Sequence, residues 1–359
     1  MNIVLYIILI LNFCICNESI NFNTTLDNKI YNKTFEYKFF NYTKFEKKNV
    51  ILGIIQHYSL YKIMPFFKSL IFANFKNCDV VMFVRNVSKD IINYLKSIDV
   101  FIFEIPNIYK NISVINLRWK LYIDFLNVNK NKYKLVLHSD IRDTIFQKDI
   151  FQDYENHKPF IGVAIEDGFL NKGRNKKWII DYVGFDKYKK IQKERIICVG
   201  TIWGTIDIFL NFSIYFWERL IANPNSIEQG IANYMLYYEK LFDKYIIKSD
   251  NYGLVMTLAL ANGKNISLDN ENNILNYKGQ KAAIIHQYDR KPILVKKIIN
   301  KYCPELIIFW KEMNFIRQNH RKIEFDQKKN MKIKYVNIIY FFVFLILFIL
   351  LIFYKYFIY

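Results

Sequence analysis

The segment best suited to chemistry lies in the middle of the chain, where an apolar stretch ends in Asp140, Arg142 and Asp143. Two carboxylates at the end of a strand offer the oxygen ligands that Mg²⁺ or Mn²⁺ takes in proteins, where the ion also contacts substrate phosphates. The same carboxylates could instead be structural, because Arg142 could form an ion pair with either of them. The local sequence leaves both interpretations open.

Alternating strands and helices are predicted to deliver these residues. Short apolar runs rich in β-branched residues predict strands at residues 50–55, 79–84, 100–105 and 133–140. The segments between them repeat apolar residues every three to four positions, as helices do, and Ser88 is expected to cap the second helix. This alternation predicts an α/β fold with a mostly parallel, doubly wound sheet.

The carboxyl ends of parallel strands meet at one edge of such a sheet, and ligands bind there. Gln56 and His57 follow the first predicted strand, and residues 140–143 follow the fourth. We therefore expect these two groups to line one site. The chain has no Gly-x-Gly-x-x-Gly segment after the first strand and no P-loop, which argues against an ordinary dinucleotide or P-loop site.

The amino-acid composition and the net charge exclude several classes of protein. The chain has 359 residues, of which 52% are apolar, and this excludes a disordered or fibrous protein. The net charge is +19, but Lys and Arg are spread along the chain rather than clustered. Because nucleic-acid recognition needs basic residues on one face, we expect no nucleic-acid partner.

Both ends of the chain are apolar. Residues 1–17 contain a run of the length of a signal-peptide core, although an uncleaved signal anchor fits as well. Residues 336–353 carry no charge over about 27 Å of helix, which predicts a transmembrane helix at residues 335–355. Three segments are expected between these ends: a polar stem at residues 18–48, a folded domain at residues 49–295 and a basic juxtamembrane segment at residues 296–334.

Glycosylation signals indicate the side of the membrane. Asn-x-Ser/Thr occurs eight times before the predicted span and never after it, which is more often than the composition predicts. The Lys residues at positions 328–334, just before the span, argue for the opposite orientation. We give the glycan acceptors more weight because they mark surface loops in the secretory pathway. We therefore predict a luminal domain anchored in a Golgi or endoplasmic reticulum membrane.

Several segments together resemble one family. DIRDTIFQKDIF at residues 140–151 resembles the Asp-x-Arg-Asp group within the GT-A superfamily of nucleotide-diphospho-sugar glycosyltransferases. Three later segments resemble, in the expected order, the family's Gly-Thr segment, its Gln-containing helix and its late His segment. They are CVGTIWGT at residues 198–205, IEQGIANYMLYY at residues 227–238 and IIHQYDRKP at residues 284–292. The resemblance covers roughly residues 49 to 292.

The resemblance implies a ligand set and a cofactor. Asp140, Asp143 and His286 would bind Mn²⁺ (or Mg²⁺), and the cation would hold the diphosphate of a nucleotide sugar. Glu228 and Gln229 would bind sugar hydroxyls or the acceptor and are the implied catalytic residues. The implied contacts to the donor are Gln56, His57, Arg118, Lys120, Asp140, Gly200, Thr201 and Lys291.

Together with the predicted membrane span, the resemblance implies a membrane-anchored glycosyltransferase. Such an enzyme would move a sugar from a nucleotide-sugar donor to a hydroxyl of a glycan, a protein or a lipid. A second interpretation is a non-enzymatic membrane-anchored glycoprotein in which the acidic pair is structural. A third is a nucleotidyltransferase on a related α/β frame, which would release pyrophosphate. Binding of Mn²⁺ and a nucleotide sugar separates the first interpretation from the second.

Overall fold

The computed structural model describes residues 47–307 of the chain. The predicted signal segment at residues 1–17 and the predicted transmembrane helix at residues 335–355 lie outside the described residues, as do most of the stem and of the juxtamembrane segment. Within residues 47–307, no helix is both long and apolar enough to span a membrane.

A seven-stranded sheet forms the centre of the described part. Its strands, in spatial order, are β3 (Phe101–Glu104), β2 (Cys78–Arg85), β1 (Lys48–Gln56), β4 (Tyr133–Ser139), β7 (Arg195–Thr205), β6 (Ile161–Phe169) and β8 (Ile246–Ser249). Neighbouring strands are parallel except at β7, which runs antiparallel to β4 and to β6. The predicted α/β fold with a mostly parallel sheet is confirmed, and β1 to β4 coincide closely with the four predicted strands.

Helices cover both faces of this sheet. In chain order they are α1 (Leu60–Ala73), α2 (Lys89–Ser97), α3 (Val114–Asn129), α4 (Gly173–Val183), α5 (Phe185–Ile191), α6 (Ile206–Ala222), α7 (Glu228–Tyr234) and α8 (Pro292–Tyr302). In β1, Val50 and Leu52 pack into a core with α3 and α6, whereas Ile51 and Ile55 pack into a second core with α1 and α2. Successive side chains of a strand point to opposite faces, so a continuously apolar strand is what a doubly wound sheet requires.

The N-terminus of α2 is capped as predicted. Ser88 precedes the helix in an extended conformation, and its Oγ accepts a hydrogen bond from the backbone N–H of Ile91 at 3.5 Å. Such a cap satisfies one of the backbone donors that the first turn of a helix leaves without a partner.

The order of the strands creates a crevice at their carboxyl ends. From β1 the chain builds outward through β2 and β3, and it then places β4 on the other side of β1. The connections on the two sides of β1 therefore diverge, and open α/β sheets bind ligands where this reversal occurs. The residues that follow β1 and β4 lie at that point.

Shorter strands form two small sheets in addition to the central one. A three-stranded sheet has the order β5 (Thr144–Phe146), β12 (Ile284–His286) and β9 (Val255–Thr257), and a two-stranded sheet pairs β10 (Ser267–Leu268) with β11 (Ile274–Leu275). Strand β12 is antiparallel to β5, and the pairing sets His286 opposite Thr144. The imidazole is thereby brought next to the turn that follows β4. The buried amide of Gln147, just after β5, donates to the backbone carbonyls of Ile274 in β11 and Ala282 before β12, at 2.8 and 2.9 Å.

The last described helix belongs to the folded domain. Leu294, Ile298 and Tyr302 of α8 are buried in a cluster with residues of β9 and β12. The predicted domain boundary at residue 295 therefore falls inside α8. Lys296 and Lys297, at the start of the predicted basic segment, lie on the exposed face of this amphipathic helix.

Candidate active site and metal centre

A cavity of about 300 Å³ opens where β1 and β4 end. Its walls include Gln56 at the end of β1 with His57 and Tyr58 after it, residues 139–143 at the end of β4 and in the following turn, Ile115 and Arg118 of α3, and Glu228 at the start of α7. His57 has a φ of 54°, which turns the chain away from the sheet directly after the strand. The two groups that follow the strands thus line one cavity at the crevice between β1 and β4.

Asp140, Asp143 and His286 converge beside this cavity. Each offers one ligand atom, and these atoms lie within 4.8 Å of one another. Nε2 of His286 is 3.6 Å from Asp140 Oδ2 and 3.6 Å from Asp143 Oδ1. The turn after β4 supplies the carboxylates, and the end of β12 supplies the imidazole.

This group fits a divalent cation such as Mn²⁺. Nε2 of His286 is buried, and no residue in the described part of the chain forms a hydrogen bond with it. Burial lowers the pKa of His286, but Cys198 and the two aspartates outweigh burial and raise that pKa well above its ordinary value. The space between the three side chains therefore favours a positive charge. A cation with one imidazole and two carboxylate ligands would supply it.

Arg142 pairs with Asp143 without blocking it. Nη2 of Arg142 lies 2.7 Å from Asp143 Oδ2, whereas Oδ1 of the same carboxylate faces His286. The structural ion pair that the sequence leaves open is therefore present. It is compatible with metal binding because it uses the other carboxylate oxygen.

Gly200 allows the candidate ligands to meet. A Cβ atom at this position would lie 2.3 Å from His286 Cε1 and 2.7 Å from Asp140 Oδ2, which is closer than such atoms pack. The carbonyl oxygen of Gly200 also accepts a hydrogen bond from Asp140 N at 2.8 Å. The resemblance implies that Gly200 lets the backbone approach a sugar. In the structure, the close approach is that of His286 and Asp140.

We expect Gly200→Ala to displace one of these two side chains and to weaken Mn²⁺ binding at least about tenfold. Gly263→Ala is the matched control, because an added Cβ there meets no atom within 4 Å. Calorimetric titration with Mn²⁺ measures both variants. Equal affinities would show that the ligand group tolerates a side chain at position 200.

Arg118 links two carboxylates across the cavity. Its side chain is 3% exposed; Nη1 donates to Asp140 Oδ1 at 2.7 Å, and Nη2 donates to Glu228 Oε1. Nε1 of Trp119 donates to the other oxygen of Glu228 at 3.1 Å. The resemblance implies that Arg118 contacts the donor, but both of its terminal nitrogens hold carboxylates.

These contacts shift the pKa values of both acids. Burial alone would raise the pKa of Asp140, but Arg118 and His286 hold it well below its ordinary value. Burial raises the pKa of Glu228 to about 7, and Asp140 adds to this effect while Arg118 opposes it. Glu228 is thus a buried carboxyl group at the cavity with a pKa in the range that suits a general acid or base at neutral pH.

Lys120 does not reach the cavity. It is buried, and its Nζ donates to Asp124 Oδ1 at 2.6 Å, one turn further along α3. Residues two positions apart point in very different directions from a helix, so Arg118 and Lys120 cannot face the same site. The structure therefore corrects the implied contact of Lys120 with the donor, because the ammonium group pairs within its own helix.

Three more of the implied residues lie away from the cavity wall. Nζ of Lys291 donates to a backbone carbonyl at 2.6 Å. Thr201 is fully buried within β7. The amide of Gln229 donates to Asn175 Oδ1 at 2.8 Å, and Gln229, unlike its neighbour Glu228, does not line the cavity.

Tyr58 and Cys198 contribute to the site and were not predicted from the sequence. Tyr58 lines the cavity, and its position directly after His57 at the end of a predicted strand could have indicated this. Cys198 lies behind the imidazole, with Sγ 3.5 Å from His286 Nδ1. No local pattern signals this contact, because the two residues are 88 positions apart.

No family model matches the chain, and no curated protein matches it. Among solved structures, the glycosyltransferase GlyE of Streptococcus pneumoniae TIGR4 is similar over 58% of this chain, at 13% identity and a TM-score of 0.37. The match covers 46% of GlyE, so this chain spans less than half the length of that protein.

The galactosyltransferase LgtC, solved with donor and acceptor sugar analogues, is similar over 66% of this chain and 86% of its own, at 14% identity and a TM-score of 0.40. An active-site variant of LgtC gives the same values. Structural neighbours of this chain thus include glycosyltransferases. Likeness at this level carries no conclusion about activity, which depends here on the geometry of the site.

Proposed function

We propose that the protein is a metal-dependent glycosyltransferase with a GT-A-like fold. The observation that carries this proposal is the convergence of Asp140, Asp143 and His286 beside a cavity of about 300 Å³ at the carboxyl ends of β1 and β4. Two carboxylates and an imidazole at a cavity suit a cation that also binds substrate phosphates. The group lies beside the crevice where the strand order reverses, and open α/β sheets bind their ligands there.

The reaction would exchange one bond to the sugar for another. The bond between the anomeric carbon and the diphosphate oxygen breaks, and a bond from that carbon to the acceptor oxygen forms. A cation held by Asp140, Asp143 and His286 would supply Lewis-acid stabilisation of the departing nucleoside diphosphate. Glu228 faces the cavity and is the candidate to take the acceptor's hydroxyl proton. Gln56 and His57, which also line the cavity, would contact the donor.

The direct test is release of nucleoside diphosphate from a panel of nucleotide sugars in the presence of Mn²⁺, with mono- and oligosaccharides, peptides and lipids as acceptors. We expect at least one donor to be consumed with Mn²⁺ and none after chelation. In a parallel assay with nucleoside triphosphates and sugar 1-phosphates, release of pyrophosphate would favour a nucleotidyltransferase. Absence of both turnover and a thermal shift with Mn²⁺ and nucleoside diphosphates would favour a non-enzymatic glycoprotein.

The raised pKa of Glu228 predicts how the rate of this reaction depends on pH. A base must be ionised to take a proton, and the pKa of Glu228 is raised to about 7. We expect kcat/KM at saturating Mn²⁺ to fall as the pH drops below about 7, and Glu228→Gln to remove most of the activity together with this limb of the profile. An unchanged profile in the variant would exclude Glu228 as the base.

We further propose that the domain is luminal and membrane-anchored in the secretory pathway. The support is the set of Asn-x-Ser/Thr signals: in the described residues, the Asn side chains of all four are exposed, at Asn86, Asn111, Asn211 and Asn265. Removal of N-glycans by a glycosidase should lower the mass of the full-length protein from membranes. Full-length protein without any N-glycan would count against a luminal domain.

A further inference from the structure

A thiol lies behind the imidazole of the candidate metal centre. Cys198 of β7 is 1% exposed, and its Sγ is 3.5 Å from Nδ1 of His286. The other ring nitrogen, Nε2, is the one that faces Asp140 and Asp143. Cys198 therefore contacts the side of the ring that points away from the carboxylates. Its sulfur is not among the atoms that could share a cation with them.

A buried carboxylate lies on the neighbouring strand. Glu166 of β6 is 4% exposed and comes two residues after Ala164, which pairs with Cys198. Burial raises the pKa of Glu166, whereas the charge of His286 opposes this. A thiol sulfur has lone pairs that accept hydrogen bonds, so Sγ of Cys198 can accept the Nδ1–H of His286 across the 3.5 Å that separates the two atoms.

We propose that Cys198 is a positioning residue that holds a hydrogen on Nδ1 of His286 and thereby commits Nε2 to ligating the cation. The inference rests on the proposed function, since it concerns the same metal centre. Histidine ligands in metalloproteins almost always donate their second ring N–H to a fixed partner, which sets both the tautomer and the orientation of the ring. Here that partner is the thiol of Cys198, 3.5 Å from Nδ1.

The test compares Mn²⁺ affinities of the full-length protein, measured from the EPR signal of free Mn²⁺. Cys198→Val approximates the shape of the thiol but cannot hydrogen-bond, and we expect it to bind Mn²⁺ about 10- to 100-fold more weakly. Cys198→Ser retains an acceptor and a donor, and it should recover most of the affinity. If Cys198→Val disturbs folding, Cys198→Ala takes its place, and we expect the same loss of Mn²⁺ affinity. Cys303→Ser, at a second fully buried cysteine, is the control and should bind as wild type.

A double-variant cycle separates positioning from a general structural effect. If Cys198 acts through His286, Cys198→Val should cause no further loss of Mn²⁺ affinity in a His286→Ala protein. The same loss in both backgrounds, or wild-type affinity in Cys198→Val and Cys198→Ala, would overturn the inference and leave the metal centre intact. A wild-type protein that fails to bind Mn²⁺ would overturn the proposed function and this inference together.

Discussion

The Asp143→Asn and His286→Ala proteins are expected to bind Mn²⁺ more than about 100-fold more weakly than wild type and to lose measurable sugar transfer. Each change removes one of the three ligand atoms that lie within 4.8 Å of one another. Asn preserves the shape of Asp143 but not its negative charge, and Ala removes the imidazole. We expect both proteins to remain folded, which circular dichroism and a thermal melt will check. Calorimetry with Mn²⁺ and a nucleoside-diphosphate release assay measure the two losses.

A neighbouring carboxylate provides the control for these variants. Asp289 lies 3.5 Å from Arg142 and carries the same charge as Asp143, but it is not part of the candidate ligand group. Asp289→Asn should therefore retain Mn²⁺ binding within a few-fold of wild type. An equal loss in Asp289→Asn would indicate that the local negative charge, rather than ligation, attracts the cation. Wild-type affinity in Asp143→Asn and His286→Ala would remove the metal centre altogether.

Arg118→Met is expected to lower the free energy of unfolding by about 3–5 kcal/mol at pH 8. The guanidinium is 3% exposed and is the cation between the carboxylates of Asp140 and Glu228. Its removal leaves Glu228 buried without its cation, and an uncompensated buried charge costs far more than an exposed one. Urea denaturation at fixed pH measures the change. Arg174→Met, at an exposed arginine of α4, is the control and should change stability by less than about 0.5 kcal/mol.

The pH dependence of this variant distinguishes charge from packing. The pKa of Glu228 in the folded protein is about 7, above its ordinary value of 4.5. Between these values the folded state holds a proton that the unfolded state has released, so this group makes stability fall as the pH rises. Removal of Arg118 raises the pKa of Glu228 further and extends the fall to higher pH. The variant should thus be closer to wild type at pH 5 than at pH 8. A loss that is equal at both values would attribute the defect to packing alone.

The central part of the fold could be predicted because its signals are local. Strands β1 to β4 are continuous apolar runs between amphipathic helices, and their alternation is enough to predict a mostly parallel sheet. The strand ends then indicate which residues share an edge. This is why the sequence alone could predict that Gln56, His57 and Asp140 line one cavity.

The rest of the site depends on contacts that no local pattern contains. His286 reaches the turn after β4 through a strand of three residues, and its partner strand β5 lies about 140 positions earlier in the chain. From the sequence, Arg118 is expected to contact the donor. The structure shows instead that it pairs with Glu228, which is 110 positions away in the chain. From the sequence, Gly200 is expected to lie against the substrate. The structure shows that a side chain is excluded there because the imidazole of His286 occupies the space. The position of Lys120, by contrast, could have been predicted from helix geometry.

The most direct measurement is anomalous diffraction from crystals grown with Mn²⁺ and a nucleoside diphosphate. We expect one Mn²⁺ peak within about 2.0–2.5 Å of Asp140 Oδ2, Asp143 Oδ1 and His286 Nε2, with phosphate oxygens completing its coordination in the cavity between β1 and β4. A nucleoside diphosphate bound away from this cavity, or a Mn²⁺ peak that none of the three side chains touches, would contradict a shared metal and donor site.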